Sequence, residues 1–209
     1  MPRTGSAFLG GLLESTGVAG HPHEWFWRET EAELRRNWGV SGDREYVEAV
    51  LRAGTTPNGV FAAKMMWAYF EESFARLEPV IPSPRFVWIR REDVVAQAVS
   101  WSRAMQGGRW WSGQTQPEEP LEYDFGEIDA LVQEAREHDA AWQNWFAKNA
   151  IEPFEVRYEK LVADPVGIAT ATLAFLGLTA NRAKIAARTE RQADELNAEW
   201  ARRYRSESG

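Results

Sequence analysis

The sequence predicts an α/β fold with a parallel sheet. Three observations carry this. Three short β-rich runs stand out at residues 59–65 (GVFAAKM), 85–89 (RFVWI) and 154–158 (FEVRY). Each is followed by a helical pattern. Strands that alternate with helices pack as parallel strands joined by crossovers. At 209 residues the chain fits one domain, residues 1–209, and is long enough to bury a core without staples.

The elements follow in order. Residues 6–15 carry Phe8, Leu9, Leu12 and Leu13 at helical spacing. Residues 29–38 and 43–52 read as short, polar-rich helices, and residues 67–77 as the helix after the first β-rich run. Val94, Val95, Ala98 and Met105 give a helix over 93–105, after the second run. Ile128, Leu131, Val132, Ala135, Trp142 and Phe146 share one face of a long helix over 127–149. Pro165 opens a helix over 165–176, after the third run, at a position where proline is tolerated. Residues 107–125, rich in glycine, proline and acids, read as a long loop, and loops of that length are usually functional or mobile.

Composition excludes several chemistries. No cysteine is present, so a disulfide framework, a thiol nucleophile and cysteine-ligated metal are ruled out. Three histidines leave little room for a metal, and His21 and His23 lack the i, i+4 spacing of a helical zinc pair, so no metal site is expected. A net charge of −7 argues against a nucleic-acid partner. No targeting segment or stretch long enough for stable membrane insertion appears, which makes the cytoplasm the default compartment. Eleven tryptophans are an excess, so some are expected to line a site rather than fill a core.

Two places read as anion sites. Arg3-Thr4-Gly5-Ser6 leads into an apolar helix, whose N-terminus presents free N–H groups and a positive dipole end; Ser6 stands where an N-cap would be. The same residues also read as an ordinary capped helix. A Walker A loop is absent, which counts against a small-molecule kinase. The second place is Arg90-Arg91 at the end of a strand, with Ser100 about two and a half helical turns on. It also reads as a charged strand end whose Glu92 and Asp93 favour the next helix.

Together these residues resemble a sulfotransferase that uses 3′-phosphoadenosine 5′-phosphosulfate (PAPS). The stretch 158–165 (YEKLVADP), followed by FLGL at 175–178, resembles a region common to such enzymes. The pattern is most similar to the bacterial trehalose 2-sulfotransferase-like family. Five blocks carry it in order: PRTGS at 2–6, LLESTGVAGHPHEWF at 12–26, TPNGVFAAKMMW at 56–67, RREDVVAQAVSWSRAMQGGRW at 90–110 and ERQADELNAEWARRYR at 190–205.

The resemblance implies a P-loop-like, three-layer α/β/α fold around a central parallel sheet. It implies that Arg3, Thr4, Gly5 and Ser6 hold the 5′-phosphosulfate; Ala7 stands where a threonine is usual, which removes one hydroxyl contact. Arg91 and Ser100 match the pair for the 3′-phosphate, and Arg191 begins a segment that closes over the cofactor. Glu24 matches the general base and Lys64 a lysine near the transferring sulfuryl group. Trp25, Trp27, Trp110 and Trp111 are the candidates for stacking on a sugar or glycolipid acceptor. No metal is required, and a homodimer is implied. From Arg182 to Arg205 seven basic and four acidic residues give +3, which suits a bis-phosphorylated nucleotide and equally a solvated helix of mixed charge. The strand that in the family runs into the phosphate loop has no counterpart before Pro2. The sheet is therefore expected to lack its first strand here. That strand would come from upstream or from a partner chain, or be lost in an inactive copy that only binds nucleotide or sugar.

Overall fold

The computed structural model describes residues 2–107, 120–181, 185–186 and 195–209. Among them the chain is mixed α/β, with many helices and a small parallel sheet. The helices are α1 (Ser6–Ser15), α2 (Arg28–Trp38), α3 (Asp43–Gly54), α4 (Trp67–Leu77), α5 (Val94–Gly107), α6 (Phe125–Lys148), α7 (Tyr158–Ala163), α8 (Pro165–Leu176) and α9 (Glu195–Glu207). Strands β1 (Val87–Arg90) and β2 (Phe154–Arg157) pair in parallel, with Val87 opposite Phe154 and Arg90 opposite Arg157.

The period of two along β1 decides what lies on either face of the sheet. Val87 and Ile89, with Phe154 and Val156 of β2, pack into a cluster with Leu9, Leu12 and Leu13 of α1 and Ala169 and Leu173 of α8. Phe86 and Trp88 turn the other way, onto Phe146 of α6, at ring-centroid distances of 5.9 Å each. Helix α6 in turn carries Trp142 and Trp145 onto Phe70 of α4, 4.4 and 4.7 Å away. A second cluster joins α5, α6 and α9 through Val99, Ile128, Val132, Trp200 and Tyr204. A third gathers Trp25, Phe26, Tyr46, Val50 and Leu77.

The first β-rich run does not form a strand. Residues 59–65 change partner partway: Phe61 bridges Thr55 in antiparallel sense and Ala63 bridges His23 in parallel sense. Gly59, with φ of +84°, turns the chain back on Thr56, and the run is used up as two single bridges. Helix α7 was not expected from the sequence; it follows β2 directly, within the stretch 158–165. Residues 195–205 of the basic stretch lie in helix α9, which is of mixed charge and buries Trp200, Ala201 and Tyr204. No described helix is long and apolar enough to cross a membrane.

Candidate functional site

The loop before α1 is shaped by backbone first. Gly5 is the N-cap at φ +90°, and a side chain there would meet the Tyr158 ring at 2.6 Å, so both conformation and space demand glycine. Arg3 also takes a left-handed φ, +62°, uncommon for a residue with a side chain. Ser6 is the first helical residue rather than the cap expected from the sequence, and α1 has no side-chain cap. Its leading N–H groups therefore keep their capacity to bind an anion.

Helix α5 meets this loop. Arg3 Nε donates to Ser100 Oγ at 2.9 Å, and Gln97 Nε2 donates to the Pro2 carbonyl at 2.9 Å. Ser100 and Thr4 are both buried. Arg91, just past the end of β1, lays its guanidinium over the Tyr158 ring, 4.5 Å from the centroid. Tyr158 is the same ring that packs on Gly5. Residues from two separate anion-site readings, 3–6 and 91–100, thus converge on one place. Arg90 does not belong to it: its guanidinium pairs with Asp139 at 2.8 Å and lies over Trp88. Burial pushes the Asp139 carboxyl above its ordinary value despite that arginine.

Tyr158 and Glu159 were missed as site residues. Glu159 accepts from the backbone N–H groups of Glu92 and Asp93, at 3.2 and 3.4 Å, and so fixes the turn after Arg91. Both residues stand at the start of the stretch 158–165, whose resemblance to sulfotransferases is the sequence signal for them.

Glu24 and Lys64 form a second group. The parallel bridge of His23 to Ala63 and the bond from Lys64 N–H to the His23 carbonyl, 2.8 Å, set the two chains side by side. Gly20 permits this approach, since a Cβ there would lie 2.5 Å from the Ala62 nitrogen. Lys64 Nζ then stands 3.2 Å from Glu24 Oε1, and both side chains are about three-quarters buried. Helix α1 joins the two groups. Gly5 opens it, and Glu14 near its end accepts from His21 Nδ1 and His23 Nε2, at 2.8 and 2.9 Å. The i, i+2 spacing of these histidines excludes a pair on one helix face. Here the pair lies on a non-helical segment, where i and i+2 can turn to the same side.

The expected acceptor-binding tryptophans separate. Trp25 is 7% exposed, stacks on His23 and donates its Nε1–H to the His21 and Ala62 carbonyls, so its ring belongs to the core. Trp27 is 38% exposed and leans on the Tyr69 ring at 5.6 Å. The Tyr69 hydroxyl is buried, and burial followed by the nearby Glu24 charge raises its pKa. Trp110, Trp111 and Arg191 lie outside the described residues. Within the basic C-terminal stretch, Arg205 is engaged by Asp93 at 2.6 Å and Arg203 by Glu207 at 2.8 Å.

The sequence profile of the Stf0 sulphotransferases matches residues 1–207. Two curated relatives align over nearly the whole chain. The trehalose 2-sulfotransferase of Mycobacterium tuberculosis (strain ATCC 35801 / TMC 107 / Erdman) is 29% identical, over 99% of this chain and 92% of its own length. The trehalose 2-sulfotransferase of Mycolicibacterium smegmatis (strain ATCC 700084 / mc(2)155) is 30% identical over the same shares.

Proposed function

The chain belongs to the Stf0 sulphotransferase family, and on that premise we propose that it transfers a sulfuryl group from PAPS to a hydroxyl of trehalose or a closely related glycan or glycolipid. The observation that carries the reading is the meeting of Arg3 and Ser100 at 2.9 Å, beside the uncapped start of α1. It supports one cradle for both anionic ends of the nucleotide. The N–H groups after Gly5, with Arg3, Thr4 and Ser6, take the 5′ end. Arg91 and Ser100 take the 3′-phosphate, Arg91 from its seat on Tyr158. Arg191, outside the described residues, is the expected further contact to the nucleotide. The donor supplies an activated sulfuryl group.

The residues of the chain do the rest. Glu24 takes the proton of the attacking acceptor hydroxyl, and the acceptor oxygen bonds to sulfur as the bond to the phosphate oxygen breaks. Lys64, beside Glu24, offers positive charge to the oxygens that gain charge in that step. Most of the rate comes from positioning and charge stabilisation, as in phosphoryl transfer. Trp27 is the described aromatic face open to a sugar ring, with Trp110 and Trp111 as its expected companions. The two relatives' names support trehalose as the first acceptor to test. The reading includes a P-loop-like three-layer arrangement of helices about the sheet, a homodimer and a cytoplasmic location.

The test is a transfer assay with labelled PAPS against a panel of disaccharides and glycolipids, read by mass spectrometry. The expected result is sulfated trehalose or a close relative, together with 3′,5′-adenosine bisphosphate. Nucleotide binding with no sulfated product from any sugar overturns it.

A further inference from the structure

We propose that Glu14, His21 and His23 form a binding site for a borderline divalent transition cation, with zinc the first to test. The three side chains meet from two parts of the fold. Glu14 lies in the last turn of α1, and the histidines lie on the segment that crosses beside it. Their ligand atoms, two imidazole nitrogens and a carboxylate oxygen, all lie within 4.8 Å of one another. In a tetrahedral zinc site, bonds of 2.0–2.2 Å put neighbouring ligand atoms about 3.3 Å apart. The observed spacings of 2.8 and 2.9 Å between Glu14 Oε1 and the two nitrogens need to open by only about half an ångström.

The surroundings permit that change. The His23 side chain is 52% exposed and the His21 side chain 36%, so a cation can enter and water can complete its coordination. The His23 ring is held flat on Trp25, with centroids 5.1 Å apart and planes within 10°. Pro22, between the two histidines, packs on α1 at Gly10, where a Cβ would stand 3.4 Å from the proline ring. The backbone that carries the ligands is thus seated before any ion arrives. Two nitrogens and one carboxylate favour zinc, copper, nickel or cobalt over magnesium or calcium, which prefer all-oxygen sets.

None of the three residues is among those proposed for sulfuryl transfer, and the cation plays a clamping part. Glu14 belongs to the helix that opens at Gly5, and His23 directly precedes Glu24. A cation held by all three residues ties the anion-binding helix to the segment that bears Glu24. Binding to the folded form alone raises the unfolding temperature.

The experiment uses the untagged full chain, stripped with chelator and titrated with Co²⁺ and then Zn²⁺. One equivalent per chain is expected, with visible Co²⁺ absorbance of a low-coordinate nitrogen and oxygen site and a rise in melting temperature. His21→Gln and His23→Gln should each weaken binding by about tenfold or more, since even outer-shell partners are worth that much. His138→Gln, changing the third histidine of the chain, should leave it unchanged. In the unaltered protein, Zn²⁺ should shift two of the three histidine ring C–H resonances and spare the third, a readout that does not depend on any variant folding. Less than one equivalent at saturation, equal binding by the variants, or a shift of His138 in place of the other two overturns the proposal. None of these readouts requires sulfuryl transfer.

Discussion

Gly5 shows how much a single residue position can hold. Its φ of +90° and the Tyr158 ring 2.6 Å from an added Cβ make Gly5→Ala a double penalty. The expected cost is about 1–3 kcal/mol in stability, read by urea denaturation, with weaker nucleotide binding as the loop shifts. Arg91→Ala removes a charged donor and leaves the Tyr158 face bare. Affinity for 3′,5′-adenosine bisphosphate should fall about 10–100-fold by calorimetry, as expected for a charge-assisted bond. Unchanged affinity would take Arg91 out of the 3′-phosphate site. Glu24→Gln keeps the shape of the side chain and removes the base. Turnover should drop by about 10²-fold or more while nucleotide affinity stays within about twofold. Near-normal turnover would assign the base elsewhere.

Among the elements, α2, α3 and α4 are joined by one charge network. Glu31 of α2 accepts from Arg35 on its own helix and from Arg76 of α4, at 2.8 and 2.9 Å. Asp43 of α3 pairs with Arg35 at 2.5 Å, and Arg76 lies over the Phe26 ring at 5.1 Å. Burial alone would raise the Glu31 carboxyl, but the two arginines outweigh it and hold it below its ordinary value. A depressed carboxylate stabilises the fold fully above its unfolded value, about 4.3, and that contribution is lost as the pH falls through the lower folded value. Melting temperature should therefore fall on acidification below about pH 4.5, and Glu31→Gln should flatten part of that fall. Arg76→Ala should cost about 2 kcal/mol at neutral pH, less than a fully buried pair because both partners keep some exposure. These helices support the cluster that fixes Trp25 and Phe26. Residues 59–65 do not form the strand that their composition predicts. Their apolar residues have the right types for a strand, but the chain found two partners where a strand needs one.

At the scale of the whole molecule, Phe146 shows how the layers depend on one another. It touches Phe86 and Trp88 beside the sheet and Trp142 within its own helix. Phe146→Ala should cost about 3–5 kcal/mol and loosen α4 and α6 from the sheet together, seen as a lower midpoint and altered near-ultraviolet dichroism. Much of the tryptophan excess is explained in this way. Trp88, Trp101, Trp142, Trp145 and Trp200 pack within or against these clusters, and Trp27 is the large aromatic left facing solvent among the described residues.

The sequence by itself determined α1, α4 and α8 to the residue and α2, α3, α5 and α6 to within about two, largely because an apolar face at helical spacing needs no distant partner to declare it; the short α7 and the terminal α9 carried no such signal. It also determined the family, through blocks such as PRTGS and YEKLVADP, and with it the residue types at the anion loop. Only the tertiary structure decided what those residues meet. Arg3 finds Ser100 across 97 positions of chain, Glu24 finds Lys64, and Glu14 gathers two histidines that spacing had set aside. The physical reason is that periodicity is written locally, within one turn or one pleat. Convergence depends on how β1, α1 and α5 pack against one another, and no local stretch encodes it.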